Sequence, residues 1–517
     1  RLCYVTADRY GGRTYATLTR ASKTLLMWRN LRELRALMKS YVTPAGDDTS
    51  LCRMMLDIST ELSVNAVSPA ALEDAVKGLP DDSPLKKKAG DIVLVTSAYE
   101  GLVREITGGV PSDRMLRAAE QIRAHDFFKG ASVYVDSFTS YTPEEYLLLR
   151  QMFAGADNVT VTVAAESRTV GDSAFMSVRD TIRRLSRLCE DLGTEWEDVI
   201  LTGNHRTSSP TLCALGRELW DFSLTPDQRF KPDADDHDAL CMISAPNAYE
   251  EAHAAVLHIG ELHNAGIPYD RIAVVVRDTA EWKGILDACL DEYHIPCFLS
   301  DRTGLADKPA ARLLLLALRC IRRGYQTGDV ISLAKTGLCG VGLADLDAFE
   351  EYVETWRIKG SRMTGGPWNM NPDGYTIEKS NRASAILAAA NRARKTLIEP
   401  LVKLEDDLKA AASPEEQCRA LFGYLTRLKV KQQMAGLARS LLSAGHVKEA
   451  GETVRLWSFI IRALADLSIL LAPDEGALSL DDLSAALSIL FEETDIGSVP
   501  GRHDCVTVGS ASTVRLE

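Results

Sequence analysis

The chain lacks long hydrophobic segments and paired cysteines, and each absence excludes a class of protein. No uninterrupted run of about 18 apolar residues occurs, so we expect no membrane-spanning helix. The first residues show no basic and apolar leader of the secretory type. The eleven cysteines are scattered without a C-x-x-C pair, which excludes a zinc or iron–sulfur spacing within the chain. This usage is typical of a reducing compartment, so we expect a cytoplasmic protein that does not bind membranes.

A phosphate loop and an excess of positive charge are also missing. No G-x-x-x-x-G-K-[ST] motif occurs, so no segment of the chain is built to hold a nucleotide's phosphates through backbone N–H groups and a lysine. The formal net charge of −13 argues against a surface that is basic throughout. It leaves room for a local basic groove, because nucleic-acid binding depends on how charge is distributed.

What is present is an alternation of helical and mixed patterns. A chain of 517 residues is too long for one core and should form roughly three or four domains. Helical periodicity dominates residues 1–128 and 336–497, whereas strands alternate with helices in residues 129–232 and 239–335. Such alternation predicts parallel sheets covered by helices. We therefore predict an α/β fold with two parallel-sheet cores and large α-helical insertions.

Two short segments bear on the second core. Residues 239–244 are predicted to form its first strand, after an acidic, proline-containing stretch that we take as a domain boundary. Within residues 498–517, the run Val506-Thr507-Val508 is predicted to return to the same sheet as a further strand. The chain begins at Arg1 and stops soon after this strand, so we expect it to be a fragment of a longer protein.

The most informative segment is residues 133–146, with the sequence VYVDSFTSYTPEEY. It predicts a short apolar strand, an acid at the strand's end, a polar turn and a helix that begins near Pro143. Nucleotide-driven motors place the Mg²⁺-binding acid at such a strand end and follow it with a carboxylate that orients the attacking water. Asp136 holds the first of these positions, but Ser137 holds the second and cannot act as a carboxylate base. The segment therefore predicts a motor's Walker B element without its hydrolytic acid.

Further segments resemble UvrD-type superfamily 1 helicases. Residues 201–210 (LTGNHRTSSP) are similar to the N-x-R-[ST] element that follows the first core domain of those proteins. Segments similar to the opening of their second core, and to its return after a helical insertion, follow in the same order: residues 245–251 (APNAYEE), 272–278 (IAVVVRD), 294–298 (HIPCF) and 504–510 (DCVTVGS).

Within that superfamily the sequence is most similar to the AddB (RexB) family, the B subunits of bacterial ATP-dependent helicase/deoxyribonucleases. The family's segment "iyiDgFtsFtpqE" resembles residues 133–145. Its segment "LENYVLxxGIRG…W" resembles residues 346–360, with Trp368 following. The resemblance extends over nearly the whole chain through several ordered motifs.

The resemblance implies two RecA-like, helicase-type cores. The implied first core is residues 129–232 (1A-like) with the helical insertion 1–128 (1B-like). The second is residues 239–335 (2A-like), with the insertion 336–497 (2B-like) and the return strand in 498–517.

The resemblance also implies a function. The chain would be a helicase-like, non-hydrolysing DNA-binding part of an AddAB-type enzyme that processes double-strand breaks for recombinational repair. Its implied partners are an AddA-type helicase/nuclease subunit, in a heterodimer, and single- and double-stranded DNA. For the full-length family it implies Mg²⁺, ATP and a [4Fe-4S] cluster, none of them held within this fragment.

Three residues are candidates for a vestigial nucleotide site. Asp136 matches the metal-binding acid, although a strand-end aspartate also caps turns. Arg206 matches the position from which the superfamily directs a cation towards the γ-phosphate, and without a phosphate it would bridge domains or contact DNA. Asn204 belongs to the same element, and its structural alternative is an N-cap. No residue is assigned a catalytic or a metal-binding role.

Four residues are candidates for DNA contact. Arg29 and Arg32 belong to a basic face of a helix predicted near residues 13–41, and the alternative is a solvated face. Arg277 ends a predicted strand at a sheet edge where α/β folds bind ligands. Trp368 lies in a loop rich in Gly and Pro, where an aromatic has less reason to be buried and could stack on a base.

Two other functions remain open at this stage. The first is an active superfamily 1 DNA helicase whose phosphate loop lies outside the chain, which Ser137 argues against. The second is a protein-interaction subunit with no DNA contact. Salt-dependent binding of single-stranded DNA would separate this second function from the preferred one.

Overall fold

A computed structural model describes most of the chain. The described residues are 2–11, 18–41, 48–108, 111–164, 175–201, 207–219, 224–231, 236, 239–299, 302–375, 378–471, 476–497 and 504–511. None of the described helices is long and apolar enough to cross a membrane.

Helices predominate. In chain order they are α1 (Leu2–Tyr10), α2 (Arg20–Leu34), α3 (Asp48–Val64), α4 (Pro69–Lys77), α5 (Pro84–Thr107), α6 (Pro111–Ala124), α7 (Pro143–Gly155), α8 (Met176–Leu192), α9 (Pro210–Glu218), α10 (Ala248–Asn264), α11 (Thr279–Trp282), α12 (Leu286–Glu292), α13 (Pro309–Arg322), α14 (Thr327–Ala334), α15 (Leu343–Thr355), α16 (Ser361–Thr364), α17 (Asn381–Ala410), α18 (Pro414–Arg427), α19 (Val430–Ser443), α20 (Val447–Leu470) and α21 (Leu480–Glu492). Short 3₁₀ turns lie at Tyr269–Arg271 and Leu305–Asp307.

The strands form three small sheets. They are β1 (Ser132–Val135), β2 (Asn158–Val161), β3 (Ala273–Val276), β4 (Cys297–Leu299), β5 (Arg302–Gly304), β6 (Asp495–Gly497) and β7 (Val506–Ser510). In the described residues β1 pairs with β2 in parallel, β7 lies between β3 and β4 and is parallel to both, and β5 pairs with β6 antiparallel. The chain divides into two compact units.

Unit 1 comprises Arg1–Thr17, Met38–Val42 and Met54–Ala245. Its sheet β1–β2 packs against α7 and α8 through a cluster of buried side chains: Val135, Tyr141, Leu149 and Leu188. A second cluster joins α6 to α7. A buried carboxylate, Asp91 on α5, accepts hydrogen bonds from three consecutive backbone N–H groups, those of residues 39–41, at 2.6–3.1 Å. Unit 1 is therefore stabilised by a polar anchor as well as by apolar contacts.

Unit 2 comprises Leu18–Leu37, Thr43–Arg53 and Pro246–Glu517. Its sheet β3–β7–β4 is covered by α10 and α12, which contribute Val256, Ile259 and Leu290 to one core with Val506 and Val508. The central strand β7 is the last of the described strands, and it lies more than 200 residues from both of its neighbours in the sequence.

The remaining helices of unit 2 form a helical layer. α13 carries nine buried residues on its 14 positions and packs against α14, α17 and α21. α2 packs against α20 and α21, with Leu25, Leu26 and Met27 fully buried. The sequence places α2 within the predicted insertion 1–128, whereas its packing belongs to unit 2.

One predicted strand is wrong. Residues 239–244 form no strand and pair with no described strand, and their apolar side chains are exposed: Leu240 by 51%, Met242 by 92% and Ile243 by 56%. An apolar run favours a buried strand, but a strand also needs a neighbour for its backbone groups. The chain is mostly helical with small parallel sheets, and two RecA-like cores and the five-part division remain predictions.

Candidate functional site

The first candidate site lies at the carboxyl end of β1. Val135 pairs with Val161 in the parallel register, so the residues that follow, Asp136 and Thr162, lie side by side at the same edge of the sheet. The hydroxyl of Thr162 donates a hydrogen bond to Asp136 Oδ1. Ser137 Oγ donates to Asp136 Oδ2 at 3.2 Å. The exposed carboxylate is thus oriented by two hydroxyls of its own chain.

Ser137 occupies a strained backbone conformation. Its φ of 66° lies in the left-handed region that non-glycine residues seldom adopt. The hydroxyl turns back onto Asp136 and has no capacity to accept a proton at neutral pH, so this position provides no general base. The similar family segment has glycine here, which adopts this φ without strain.

The segment after Ser137 leads into α7 through a built turn. Thr142 and Glu145 form a reciprocal capping box at the start of α7, in which the Thr142 side chain accepts from Glu145 N and the Glu145 side chain accepts from Thr142 N. Thr181 on α8 donates to the carbonyl of Thr139 at 2.9 Å. The helices α7 and α8 therefore hold the turn that carries Asp136.

The aromatic hydroxyls beside this turn stay protonated. Burial, followed by the neighbouring Tyr146 and Glu145, raises the pKa of Tyr141 to about 12. Burial also raises the pKa of Tyr146, partly offset by Arg184, and burial followed by Glu145 raises the pKa of Glu144. Raised tyrosine pKa values keep both phenols neutral at neutral pH, so neither acts as a base.

The described residues at this edge do not make up a complete site for ATP with Mg²⁺. The sequence has no phosphate loop, and the strand-end carboxylate is already bonded to Thr162 and Ser137. In the described part of the chain no group of three or more His, Cys, Asp or Glu side chains is placed to hold a metal. The other two nucleotide-site candidates, Asn204 and Arg206, lie outside the described residues.

The second candidate site lies at the carboxyl end of β3. Arg277 follows β3 directly and is exposed. Asp278 accepts a hydrogen bond from Ala280 N at 2.9 Å and caps α11, and Ala511 N donates to the carbonyl of Val276 at 3.0 Å. Arg277 makes no hydrogen bond or ion pair with another described residue. This edge therefore presents the exposed side chain of Arg277 beside the capping carboxylate of Asp278.

The two arginines of α2 are held by neighbours in unit 2. Arg29 donates to the carbonyl of Leu470 at 3.1 Å, pairs with Glu33, and exposes only 11% of its side chain. Arg32 approaches Asp482 at 3.5 Å and lies over the Trp28 ring at 4.9 Å. These contacts favour the structural alternative, and a role in DNA binding remains a prediction.

Trp368 is buried, so the argument that its loop exposes it is wrong. The ring is 8% exposed and stacks on Tyr352 at a centroid distance of 5.1 Å. Its Nε1 donates to the carbonyl of Arg362 at 3.0 Å, and Asn391 bonds both its backbone N–H and its carbonyl. A loop rich in Gly and Pro still folds onto a core when side chains satisfy its backbone groups. Base stacking by Trp368 remains a prediction that requires the ring to leave this site.

Thr162 is a member of this site that the sequence pattern did not indicate. Its signal was available, because residues 131–135 and 158–163 are both strand-like, and the residues that follow two adjacent parallel strands meet at one edge. The register that brings Thr162 to Asp136, however, is visible only in the structure.

Comparisons with known proteins bear on the whole chain. The family model described as ADDB, N-terminal, matches residues 1–216. The model of the UvrD-like helicase C-terminal domain matches residues 199–359. The two matches overlap and together extend from the start of the chain into the helical layer of unit 2.

Curated relatives match over nearly the entire chain. The B subunit of the ATP-dependent helicase/deoxyribonuclease of Acetivibrio thermocellus is 25% identical over 526 residues, which is 100% of this chain and 45% of that protein. The proteins of the same name from Clostridium novyi and Alkaliphilus oremlandii are 25% and 23% identical over 100% and 99% of this chain. The chain spans less than half the length of these relatives, 44–45%. The chain is therefore similar over its whole length to the AddB family, the B subunits of ATP-dependent helicase/deoxyribonucleases.

Proposed function

We propose that this chain is the helicase-like, DNA-binding part of an AddB-type protein that acts with an A-type helicase/nuclease partner. The complex processes double-strand breaks for recombinational repair, and the partner supplies ATP-driven movement along DNA. This part guides single-stranded DNA and does not hydrolyse ATP. In this proposal ATP, Mg²⁺ and the [4Fe-4S] cluster are held by other parts of the complex.

The observation that carries the proposal is the arrangement at Asp136. In-line attack on a γ-phosphate needs a bound metal and an oriented water. At this strand end the carboxylate is bonded to Thr162 and Ser137, and the following residue is a hydroxyl rather than a carboxylate. A helicase-like domain that lacks the hydrolytic acid cannot hydrolyse ATP, but it can still bind a DNA strand.

The exposed Arg277 of unit 2 supports the strand-binding half of the proposal. Arg277 is exposed at the carboxyl end of a parallel sheet, which is where α/β folds bind their ligands. A guanidinium in that position offers planar hydrogen-bond donors to a phosphate. The names of the matched relatives, which combine helicase and deoxyribonuclease, favour DNA as the ligand.

The test is binding of the chain to a labelled thymidine oligonucleotide at several salt concentrations. Contacts to phosphates release counterions, so the logarithm of the affinity should fall linearly with the logarithm of salt, by about 0.7 for each phosphate contacted on a single strand. If the chain is instead a protein-interaction subunit without DNA contact, it should show no salt-dependent binding of the oligonucleotide. That outcome would overturn the proposal.

ATP turnover separates the proposal from an active helicase. In the complex with its A-type partner, an Asp136→Asn variant should retain the ATP hydrolysis rate of the unmodified complex, because the partner performs the hydrolysis. If the Asp136→Asn complex assembled normally but hydrolysed ATP more slowly than the unmodified complex, the AddB-type protein would contain an active nucleotide site.

A further inference from the structure

The helical layer of unit 2 carries a surface loop with an unusual combination of side chains. α15 ends at Thr355, and its last carbonyls are capped by the loop that follows: Arg357 N donates to Glu354 O at 3.2 Å and Ile358 N donates to Val353 O at 2.9 Å. This pairing is the Schellman arrangement that ends a helix at a residue in the left-handed conformation. The direction of the loop is therefore set by the helix itself.

The loop is anchored at its centre and exposed on both sides. Ile358 is completely buried, and its carbonyl accepts a hydrogen bond from Thr327 Oγ1 at 2.7 Å. Gly360 N donates to the carbonyl of Tyr325 at 3.1 Å. Arg357 and Lys359, one on each side of Ile358, are exposed. The backbone of the loop is thus anchored, and two exposed cationic residues flank the buried Ile358.

These two cations differ from the arginines of α2. Neither Arg357 nor Lys359 makes an ion pair or side-chain hydrogen bond with another described residue, whereas Arg29 and Arg32 are both paired. Residues 356–382 contain five basic and two acidic residues, a net charge of +3 in a chain whose net charge is −13. Arg357 also has a φ of 46°, a conformation in which glycine would be unstrained. The chain keeps a positive charge here despite the backbone strain.

An exposed aromatic ring contacts the residue that precedes Arg357. Tyr375 is 96% exposed, the highest exposure among the described large apolar and aromatic side chains. Its ring meets the ring of Trp356 edge-on, at a centroid distance of 5.2 Å and an interplanar angle of 77°. Trp356 precedes Arg357 directly, and its buried Nε1 has no hydrogen-bond acceptor among the described residues. The exposed ring and the unused donor therefore lie together, at the residue that directly precedes Arg357 in the chain.

We propose that this surface, formed by Trp356, Arg357, Lys359 and Tyr375, binds single-stranded DNA. A base stacks on the Tyr375 ring while Arg357 and Lys359 contact the flanking phosphates, which is the pairing of aromatic platform and positive groove that sequence-tolerant strand binders use. Trp356 supports Tyr375 from the side and offers Nε1 to an acceptor on the strand once the ring shifts. The inference rests on the proposed function and adds to it a second contact point, in the helical layer.

The test compares variants of the chain in binding a fluorescein-labelled poly(dT) oligonucleotide. Arg357→Gly removes the charge and relieves the strained φ, so its folding stability should equal or exceed that of the unmodified chain. Lys359→Gln and Tyr375→Ala change exposed side chains and should leave folding intact. Matched controls elsewhere in unit 2 are Lys431→Gln and Tyr249→Ala, each replacing an exposed residue of the same type.

The expected results separate this surface from the rest of the protein. Tyr375→Ala should weaken binding about fivefold or more, and Tyr375→Phe should restore most of it, because stacking needs the ring and not the hydroxyl. Arg357→Gly combined with Lys359→Gln should make the salt dependence shallower by about 1.4, the value for two phosphate contacts on a single strand. Both controls should bind as the unmodified chain does.

Two outcomes would overturn the inference in distinguishable ways. If the unmodified chain binds poly(dT) with a steep salt dependence and all the loop variants bind equally well, this surface is not the contact and the proposed function stands. If the unmodified chain shows no salt-dependent binding, the proposed function and the inference fail together.

Discussion

Each unit contains a small parallel sheet, but the two sheets are buried to very different extents. In unit 2 the strand β7 lies between β3 and β4, and Val506 and Val508 are completely buried. In unit 1 the described sheet has two strands, so each of them is an edge, and Tyr134 at its centre is 76% exposed. A central strand is shielded by a neighbour on each side, whereas each strand of a two-stranded sheet has one open edge.

The polar residues at the ends of the two sheets also differ, but here the exposed side chain left unpaired among the described residues is the one in unit 2. At the end of β1 the carboxylate of Asp136 is bonded to Thr162 and Ser137 within the chain. At the end of β3 the guanidinium of Arg277 is exposed, and no described residue pairs with it. An anionic strand would find a negative, internally bonded group at the first edge and an available cation at the second. The comparison teaches that two strand ends of the same type differ in availability, since Asp136 is bonded by two hydroxyls whereas the side chain of Arg277 is exposed.

The largest effect is expected from a charge placed in the centre of the unit 2 sheet. Val508→Asp buries a carboxylate without a partner and should destabilise this sheet by about 4 kcal/mol or more. Hydrogen–deuterium exchange of the amides in β3, β4 and β7 measures the effect, since these amides should lose their protection together.

The matched control is the same change in the unit 1 sheet. Tyr134→Asp places a carboxylate on an exposed position and should alter stability by no more than about 0.5 kcal/mol. Equal loss of protection in both variants would contradict the difference in burial between the sheets.

A medium effect is expected at the two polar edges. Arg277→Glu replaces a phosphate contact by a repulsive charge and should weaken binding of single-stranded DNA about tenfold at low salt, with a salt dependence shallower by about 0.7. Asp136→Asn, at the other edge, should leave the affinity within about twofold, because its carboxylate is bonded within the chain. Titration of a labelled oligonucleotide at several salt concentrations measures both. An Asp136→Asn variant that binds much more tightly than the unmodified chain would show that strand phosphates approach the first edge as well.

Local elements near Asp136 follow well from the sequence. The pattern predicts a strand over residues 131–135 and a helix from Pro143, and the structure has β1 at Ser132–Val135 and α7 at Pro143–Gly155. Both are encoded locally, the strand by its apolar run and the helix by Thr142, Pro143 and Glu145 at its start. The predicted return of residues 506–508 to the second sheet also matches the position of β7 between β3 and β4.

Side-chain partners that are distant in the chain could not be predicted. The basic face of α2 looked available from its sequence, but Arg20 pairs with Glu493 and Arg32 approaches Asp482, both more than 400 residues away. The burial of Trp368 depends likewise on Asn391 and Tyr352, which lie on other helices. A sequence shows which residues carry charge or aromatic surface, whereas tertiary packing decides which of them remain exposed.

The last prediction is that a substitution leaves the rate of ATP hydrolysis unchanged at zero. It tests whether the missing acid alone explains the absence of hydrolysis. Ser137→Glu supplies a carboxylate at the position where motors carry one. The chain should still not hydrolyse ATP, because it has no phosphate loop and Asp136 stays bonded to Thr162. Ser140→Glu, which adds the same charge at an exposed position in the same turn, is the matched control, and release of inorganic phosphate is the measurement. Turnover that appears with Ser137→Glu and not with Ser140→Glu would mean that a nucleotide still binds at this edge, and the contrast in availability between Asp136 and Arg277 would then be wrong.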